Sequence, residues 1–198
     1  TVWLEFRRVL FRSQISFEIQ KNNKIENLNI NSNLKINNLE IFFKDQRIKK
    51  ILPEYKSKIF LKDSFIDLNF NKNLNKFKIS GLYSFDQDLF DEYLLNISNN
   101  ISTVNGQIDL NNTIINFDEI NYKKEKNKTS NINFTVSLEK DFALNEFSYK
   151  EGENKIFLKN LMFSKKYQIK KLDNLELNFK NNNKILNQII LIRNKDNY

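Results

Sequence analysis

Hydroxyl, carboxylate and lysine side chains are the only groups in this sequence that could take part in acid, base or nucleophilic chemistry. The 198 residues include no Cys and no His, which removes thiolate nucleophiles and the commonest general base and metal ligand. A Ser-His-Asp relay is therefore excluded, whereas the neighbours Ser57-Lys58 and Ser164-Lys165 leave a Ser-Lys pair open. With three Gly and one Pro there is no Gly-rich phosphate loop. The composition favours a scaffold or binding surface over an enzyme, and no cofactor is expected.

Two groups of carboxylates lie close enough in sequence to be drawn as acid–base sets. The first group could share a helix face, where acidic charge at a helix start is the simpler explanation. The second group is split, because neighbouring strand residues point to opposite faces of a sheet. The groups are Asp86, Asp88, Asp91 and Glu92, and Asp118 with Glu119 near Tyr122. Neither group predicts an active site or a metal site.

The positive charge raises the question of an anionic partner. The formal net charge is +8, and Lys runs with a nearby Tyr are typical of surfaces that bind single-stranded nucleic acid. Here, however, Lys is spread along the whole chain and Arg, the preferred base reader, is scarce. Nucleic acid is therefore disfavoured, and anionic lipid headgroups are an equally available partner for the lysines. The two runs are Lys123, Lys124, Lys126 and Lys128 beside Tyr122, and Lys165, Lys166, Lys170 and Lys171 around Tyr167.

The first thirteen residues differ in composition from the remainder of the chain. Residues 1–13 contain three of the five Arg and the only Trp but no Asn or Lys, in a chain with 34 Asn. Residues 4–13, LEFRRVLFRS, resemble the translation of a sequencing-adapter end. We therefore expect residues 1–13 to be an assembly artefact outside the fold. The fold is expected to be a single β-rich region over residues 14–198, truncated at both ends.

From residue 14 onward the dominant hydrophobic period is two. Apolar side chains alternate with polar ones in segments such as 15–19, 66–70, 132–138 and 175–179, which places one set of side chains on one face of a sheet. Short turns rich in Asn separate the segments, and Asn tolerates the positive φ that such turns need. The pattern predicts a mainly β fold, an antiparallel meander curled into an open groove or an elongated sheet.

Two segments depart from this alternation and predict short helices. In residues 44–52, Ile48, Ile51 and Leu52 are three and four residues apart, and Pro53 ends the run. In residues 86–97, Leu89, Phe90, Tyr93, Leu94 and Ile97 follow the same spacing behind acidic residues.

The second half of the chain carries a family resemblance. Residues 78–86 (KISGLYSFD), 104–138 (VNGQIDLNNTIINFDEINYKKEKNKTSNINFTVSL) and 147–179 (FSYKEGENKIFLKNLMFSKKYQIKKLDNLELNF) give a recurring order of strands and turns. This order resembles the AsmA-like family of bacterial envelope proteins, particularly the large YhdP- and TamB-type members. The residues that carry the resemblance are Gly81, Gly106, Ile108, Asp109, Tyr122 and Gly152.

The resemblance implies a location and a function. Members of that family are held in the inner membrane by an N-terminal helix and extend through the periplasm as a curled sheet with an apolar lining. They are thought to conduct phospholipid or to tune the lipid balance of the outer membrane. By resemblance, this chain would be an internal, non-enzymatic, periplasmic segment whose inner-membrane anchor lies in a missing N-terminal part, and its partners would be phospholipid acyl chains.

Residues on the apolar set of the strands are the candidate lipid-facing residues. Period two alone does not distinguish an open groove from a closed sandwich core, since both need one dry face. A β-rich structural or adhesive module of a secreted or surface protein therefore stays open as an alternative, and a basic nucleic-acid-binding domain as a second. The candidate groove residues are Phe70, Ile79, Ile108, Leu110, Ile115, Phe117, Phe134, Val136, Leu158, Leu177 and Phe179.

Overall fold

Strands make up most of the chain, as the period-two pattern predicts. The computed structural model describes residues 2–20, 24–71, 74–98, 102–138, 142–164 and 168–193. Helical structure within these ranges is limited to one short α-helix and one 3-10 turn. In chain order the elements are β1 (Val2–Ile19), β2 (Ile25–Phe43), α1 (Gln46–Ile51), β3 (Lys58–Asn71), β4 (Leu74–Ser84), β5 (Asp91–Ser98), β6 (Thr103–Asp109), β7 (Ile115–Phe117), the 3-10 turn Asp118–Ile120, β8 (Tyr122–Lys124), β9 (Ser130–Leu138), β10 (Phe142–Glu151), β11 (Asn154–Phe163), β12 (Ile169–Lys171), β13 (Asn174–Lys180) and β14 (Leu186–Ile192).

One large antiparallel sheet holds twelve of these strands. Their order across the sheet is β1-β2-β3-β4-β5-β6-β9-β10-β11-β13-β14, with β12 paired to β11. Almost every strand therefore pairs with its neighbours in sequence, and β1 and β14 lie at the two edges. The exception is the hairpin β7–β8, which is inserted between β6 and β9 and forms a two-stranded sheet of its own. The prediction of an open antiparallel meander is confirmed.

The helix expected at residues 44–52 is present as α1. The side chain of Asp45 caps it by accepting a hydrogen bond from the Arg47 backbone N–H at 2.8 Å. At the other end, the Leu52 N–H donates to the Ile48 carbonyl at 2.7 Å, and Pro53 follows. A single helical turn forms here because the cap and the proline fix both of its ends.

The second helix expected from the sequence, over residues 86–97, is wrong. Residues 85–89 form bends, and β5 begins at Asp91. Tyr93, Leu95 and Ile97 also alternate with period two, and this reading lets β5 pair with β4 on one side and β6 on the other. Ser84 and Asp86 close a turn instead: Ser84 Oγ accepts hydrogen bonds from two backbone N–H groups, and the Asp86 carboxylate accepts one from the Asp88 backbone N–H at 2.9 Å. The backbone hydrogen bonds that β5 forms with β4 and with β6 stabilise the strand more than the helical spacing of its apolar residues would stabilise a helix.

Extra residues within strands keep the apolar side chains of the sheet on one face. In β3, Asp63 has φ 47°, and the pairing with β4 shifts by one residue there. In β11, Asn160 has φ 52° and is skipped in the pairing together with Asn145 of β10, where the pairing of β10 with β9 also shifts by one residue. Beyond each extra residue the apolar positions resume after a gap of three instead of two, as between Leu158 and Leu161. A single-residue slip would otherwise turn half of the strand over.

Residues 2–13 lie in β1, which pairs with β2 from Val2 to Ile19. The side chains of residues 10–19 are exposed on this edge strand. That residues 1–13 are foreign to the natural protein stays a prediction. In the described part of the chain, no helix combines the length and the apolar character needed to cross a membrane.

Candidate functional site

Register places the large apolar side chains of the meander on the same face. Directly paired residues share a face of a sheet, and Tyr93 pairs with Ile108, Ile108 with Ile132, and Ile132 with Tyr149. A parallel row runs two residues further along each strand through Leu95, Gly106, Phe134, Phe147 and Leu158. We call this the inner face.

One end of the inner face is covered by the hairpin β7–β8. Phe179, which is 0% exposed, lies beneath it and contacts three rings: Tyr122 and Phe117 edge-on at 4.7 and 6.5 Å, and Tyr149 in a stack at 5.9 Å between ring centroids. Aromatic pairs of these geometries add to the stabilisation from burial. This part of the inner face is a closed core, built from Tyr83, Leu110, Ile115, Tyr122, Tyr149 and Phe179.

Next to the closed core, the inner face forms a cavity of about 550 Å³. Helix α1 and the hairpin β7–β8 contribute to its wall, and strands β2 to β11 contribute the remainder. Every lining side chain is aliphatic or aromatic. They are Ile41, Ile48, Ile51, Leu52, Ile59, Leu61, Tyr83, Phe85, Tyr93, Leu95, Ile108, Leu110, Ile115, Phe117, Ile132, Phe147, Tyr149 and Ile156.

The three tyrosines of the cavity use their hydroxyls within the protein. The contacts are Tyr83 Oη donating to the Asp109 carbonyl at 2.6 Å, Tyr93 Oη donating to Ser64 Oγ at 2.8 Å, and Tyr149 Oη paired with Tyr122 Oη at 3.0 Å. Burial raises the pKa of Tyr149 to about 12, so the hydroxyl is neutral at physiological pH. Because these hydroxyls are satisfied elsewhere, the rings present apolar surface to the cavity.

A buried lysine fixes the hairpin β7–β8 against the sheet. The side chain of Lys124 is 0% exposed, and its Nζ donates to the backbone carbonyls of Asn111 (3.2 Å), Thr113 (2.8 Å) and Glu125 (3.1 Å). Burial lowers the pKa of Lys124, which the nearby carboxylate of Asp91 opposes. Burial likewise raises the pKa of Asp91, although its carboxylate accepts a hydrogen bond from Thr113 Oγ1 at 3.1 Å. These contacts have a structural role, since Lys124 is closed to solvent.

The first lysine run is neutralised inside the protein. Besides the buried Lys124, its members each form an ion pair: Lys123 with Glu125 at 2.8 Å, Lys126 with Glu54 at 2.7 Å and with Asp86, and Lys128 with Glu151 at 3.9 Å. In the second run, Lys171 pairs with Asp173 at 3.0 Å, while Lys165, Lys166 and Tyr167 lie outside the described residues. Each of Lys123, Lys126 and Lys128 therefore already has an acidic partner within the protein, although Lys123 and Lys128 remain about half exposed.

The acidic groups are not assembled into a site. Asp86 forms an ion pair with Lys126, Asp91 is buried beneath the hairpin, and Asp118 accepts a hydrogen bond from Asn116 at 2.9 Å. Across the described ranges, no group of three or more acidic side chains is arranged to hold a metal ion.

The eleven candidate groove residues divide between the cavity and its surroundings. Ile108, Leu110, Ile115 and Phe117 line the cavity, and Leu110 and Ile115 also belong to the closed core that adjoins it. Phe179 lies in the closed core, with Leu177 packed against it, and Val136 is also buried. The other four residues lie on the inner face but do not line the cavity, and they are Phe70, Ile79, Phe134 and Leu158. That any of them contacts lipid stays a prediction.

Fourteen of the cavity-lining side chains were missed in the sequence. Tyr93 and Leu95 were hidden because β5 was read as a helix. Ile48, Ile51 and Leu52 were recognised as the apolar side of α1, but nothing in the sequence indicates which part of the sheet α1 faces. For Tyr83 and Tyr149, alternation within their strands was the available signal.

No family model matches this chain, and neither the curated proteins nor the solved structures gave a match. The resemblance to AsmA-like proteins therefore stays a prediction.

Proposed function

We propose that this chain is a non-enzymatic binding module that holds the acyl chain of a phospholipid on its inner face. The observation that carries the proposal is the cavity of about 550 Å³ with an exclusively aliphatic and aromatic lining. This volume falls within the range of about 300 to 1,000 Å³ that is typical of small-molecule sites. A lining without free polar groups favours a ligand part that needs no hydrogen bonds, which describes an alkyl chain.

The wider setting is proposed from the sequence resemblance. We propose an AsmA-like, periplasmic segment of the cell envelope, anchored to the inner membrane through another part of its protein, that binds or conducts phospholipid for outer-membrane lipid homeostasis. What supports this is the order of strands and turns over residues 78–179 together with a long, open antiparallel sheet that has one apolar face. Burial of an alkyl chain contributes about 0.8 kcal/mol per CH₂ group without directional contacts, which suits movement along such a face.

The proposal can be tested with the full chain and a fluorescent lipid. The purified protein is first analysed by mass spectrometry for co-purifying phospholipid, and then titrated with phosphatidylcholine that carries one NBD-hexanoyl chain. Two variants place the same large side chain on opposite faces of β5: Leu95→Trp fills the cavity, whereas Leu94→Trp lies on the outer face. We expect Leu95→Trp to weaken binding about tenfold or more, equivalent to lost burial of about two CH₂ groups.

The control variant Leu94→Trp shows whether any loss of binding comes from the cavity or from the added Trp itself. Leu94→Trp should bind within about twofold of the unsubstituted chain, because the expected tenfold effect needs loss of apolar burial. Circular dichroism before titration verifies that both variants retain the sheet. Saturable binding that is equally weakened by both substitutions, or no binding by the unsubstituted chain, would refute the cavity as a lipid site.

A second candidate function, a compact structural or adhesive module, is favoured by the closed core. The hairpin β7–β8 covers Phe179 completely, as a module that binds no ligand would require. This candidate predicts a lipid-free protein and no dependence of stability on added lipid. The same titration separates the two candidates, since only the lipid-binding module gains affinity with each CH₂ group added to the probe.

A further inference from the structure

The segment that forms part of the cavity wall also concentrates positive charge. Residues 44–58 include six basic and two acidic side chains, so fifteen residues carry a net charge of +4, half of the chain's +8. This segment contains α1 and the loop that connects it to β3. The apolar cavity and a strongly basic segment of the chain therefore share one element.

Some of this charge is already paired. Arg47 pairs with Asp45 at 2.6 Å and Lys58 with Glu40 at 3.0 Å, while Glu54 is taken by Lys126. Four further lysines are exposed, and none of them forms an ion pair within the described part of the chain. They are Lys44, Lys49, Lys50 and Lys56, which we call the α1 lysines.

The geometry of α1 places two of these cations, Lys49 and Lys50, beside the cavity and not inside it. Ile48, Ile51 and Leu52 line the cavity and share one side of the helix, because residues three and four apart are neighbours on a helix surface. Lys49 and Lys50 point to the other side, at successive steps of 100°. Ile51 is 41% exposed although it lines the cavity, so solvent meets the apolar lining next to α1.

We infer that the ligand is an anionic amphiphile whose negative headgroup lies at the α1 lysines while its alkyl chain occupies the cavity. The inference rests on the proposed function, and it adds a preference: an anionic phospholipid is bound more tightly than a zwitterionic one with the same chains. Charge complementarity selects this ligand class, since unpaired ammonium groups at the solvent-exposed rim attract a negative headgroup. An uncharged or zwitterionic headgroup has no net attraction to the α1 lysines.

The test compares two headgroups on one acyl chain. The full chain is titrated with phosphatidylglycerol and with phosphatidylcholine, each carrying the same NBD-hexanoyl chain, at low salt and below the concentration at which the probes form micelles. Because the chain is shared, burial in the cavity cancels in the ratio of the two dissociation constants. We expect phosphatidylglycerol to bind about fivefold more tightly, as for about two exposed ion pairs.

Two variants with equal loss of charge locate the preference. The first replaces each α1 lysine by Gln and should bring the ratio to about one, since the exposed ion pairs are gone, while phosphatidylcholine binding is retained. The second carries Lys76→Gln, Lys78→Gln, Lys150→Gln and Lys159→Gln, four exposed lysines whose strand positions face away from the inner face. This control should keep the preference for phosphatidylglycerol.

Each alternative result has a definite meaning. Equal affinity for the two probes in the unsubstituted chain, or a preference that survives in the first variant, overturns the inference while leaving the cavity in place. A preference lost equally in both variants also overturns it, because the effect would then come from net charge. If neither probe binds, the proposed function fails and this inference fails with it.

Discussion

The close approach of Phe134 to Gly106 gives a sharp prediction about the inner face. A Cβ atom added at Gly106 would lie 2.1 and 2.3 Å from two ring carbons of Phe134, whereas carbon atoms in contact are about 3.5 to 4.0 Å apart. The ring must therefore move by more than about 1 Å if Gly106 is replaced by Ala. The backbone of Gly106 does not have a positive φ, so the side-chain overlap is the whole cost.

The expected size of the effect follows from overpacking. Adding a methyl group to a packed site costs about 1 to 3 kcal/mol, and we expect Gly106→Ala to lower the free energy of unfolding by about 2 kcal/mol. With an m-value of about 2 to 3 kcal/mol/M, the urea midpoint falls by about 0.7 to 1 M. Circular dichroism at increasing urea concentration measures this shift.

A second substitution tests the assigned cause. Phe134→Leu removes all three ring carbons that lie near the added Cβ while keeping an apolar side chain. In that background, Gly106→Ala should be neutral or stabilise by about 0.4 to 1 kcal/mol, because Ala restricts the unfolded chain more than Gly. The two substitutions should then show a coupling energy of about 2 kcal/mol or more.

A control separates side-chain overlap from backbone strain. Gly152 has φ 55° and no atom within 4 Å of an added Cβ, so Gly152→Ala should cost about 1 kcal/mol through the backbone alone. That cost should be the same with Phe134 or Leu at position 134. If Gly106→Ala proves equally destabilising in both backgrounds, the reasoning about the ring is refuted.

Two further predictions concern charged groups. Lys124→Met should lower the free energy of unfolding by about 3 kcal/mol, because three backbone carbonyls lose a charged donor. Urea titration measures this loss, with Lys123→Met as the exposed control. Equal losses in the two variants would contradict the role of Lys124 in fixing the hairpin. Burial tends to raise the pKa of Asp86, but hydrogen bonds, first from Lys126, hold it well below its usual value. Its stabilisation of about 1 kcal/mol is therefore complete at pH 6 and decreases as the pH falls below about 4. The stability difference between the unsubstituted chain and Asp86→Asn, measured by urea titration from pH 6 to pH 2, should shrink accordingly, and a constant difference would contradict this account.

The sequence was sufficient for the fold class and for the shared face of the side chains in strands that alternate strictly. Strict alternation, as in β9, predicts which side chains share a face, and Phe134 and Val136 do lie together on the inner face. The helical interpretation of residues 86–97 failed because Tyr93 fits both periods, and only pairing with β4 and β6 decides between them. The hydrophobic period is read from one segment at a time, whereas the assignment of β5 as a strand depends on its pairing with two other strands.

The division of the inner face into a closed core and a cavity could not be predicted. It depends on where the hairpin β7–β8 folds back, and that position is fixed by contacts far apart in sequence, such as Asn182 N–H to the Asn121 carbonyl at 3.0 Å. Lys124 illustrates the same limit. It shares the alternation of the buried Tyr122, two residues earlier, yet a lysine in a basic run is expected in solvent. Only the folded hairpin brings three carbonyl oxygens to its Nζ.

The extra residues in β3 and β11 bear on how such a sheet can change length over time. In a strand that alternates strictly, the loss of one residue moves every later side chain to the opposite face of the sheet. Asp63 and Asn160 already stand outside the alternation, so a deletion at either point leaves both halves of its strand in phase. Positions of this kind allow a strand of a long sheet to gain or lose a single residue while the apolar inner face stays continuous.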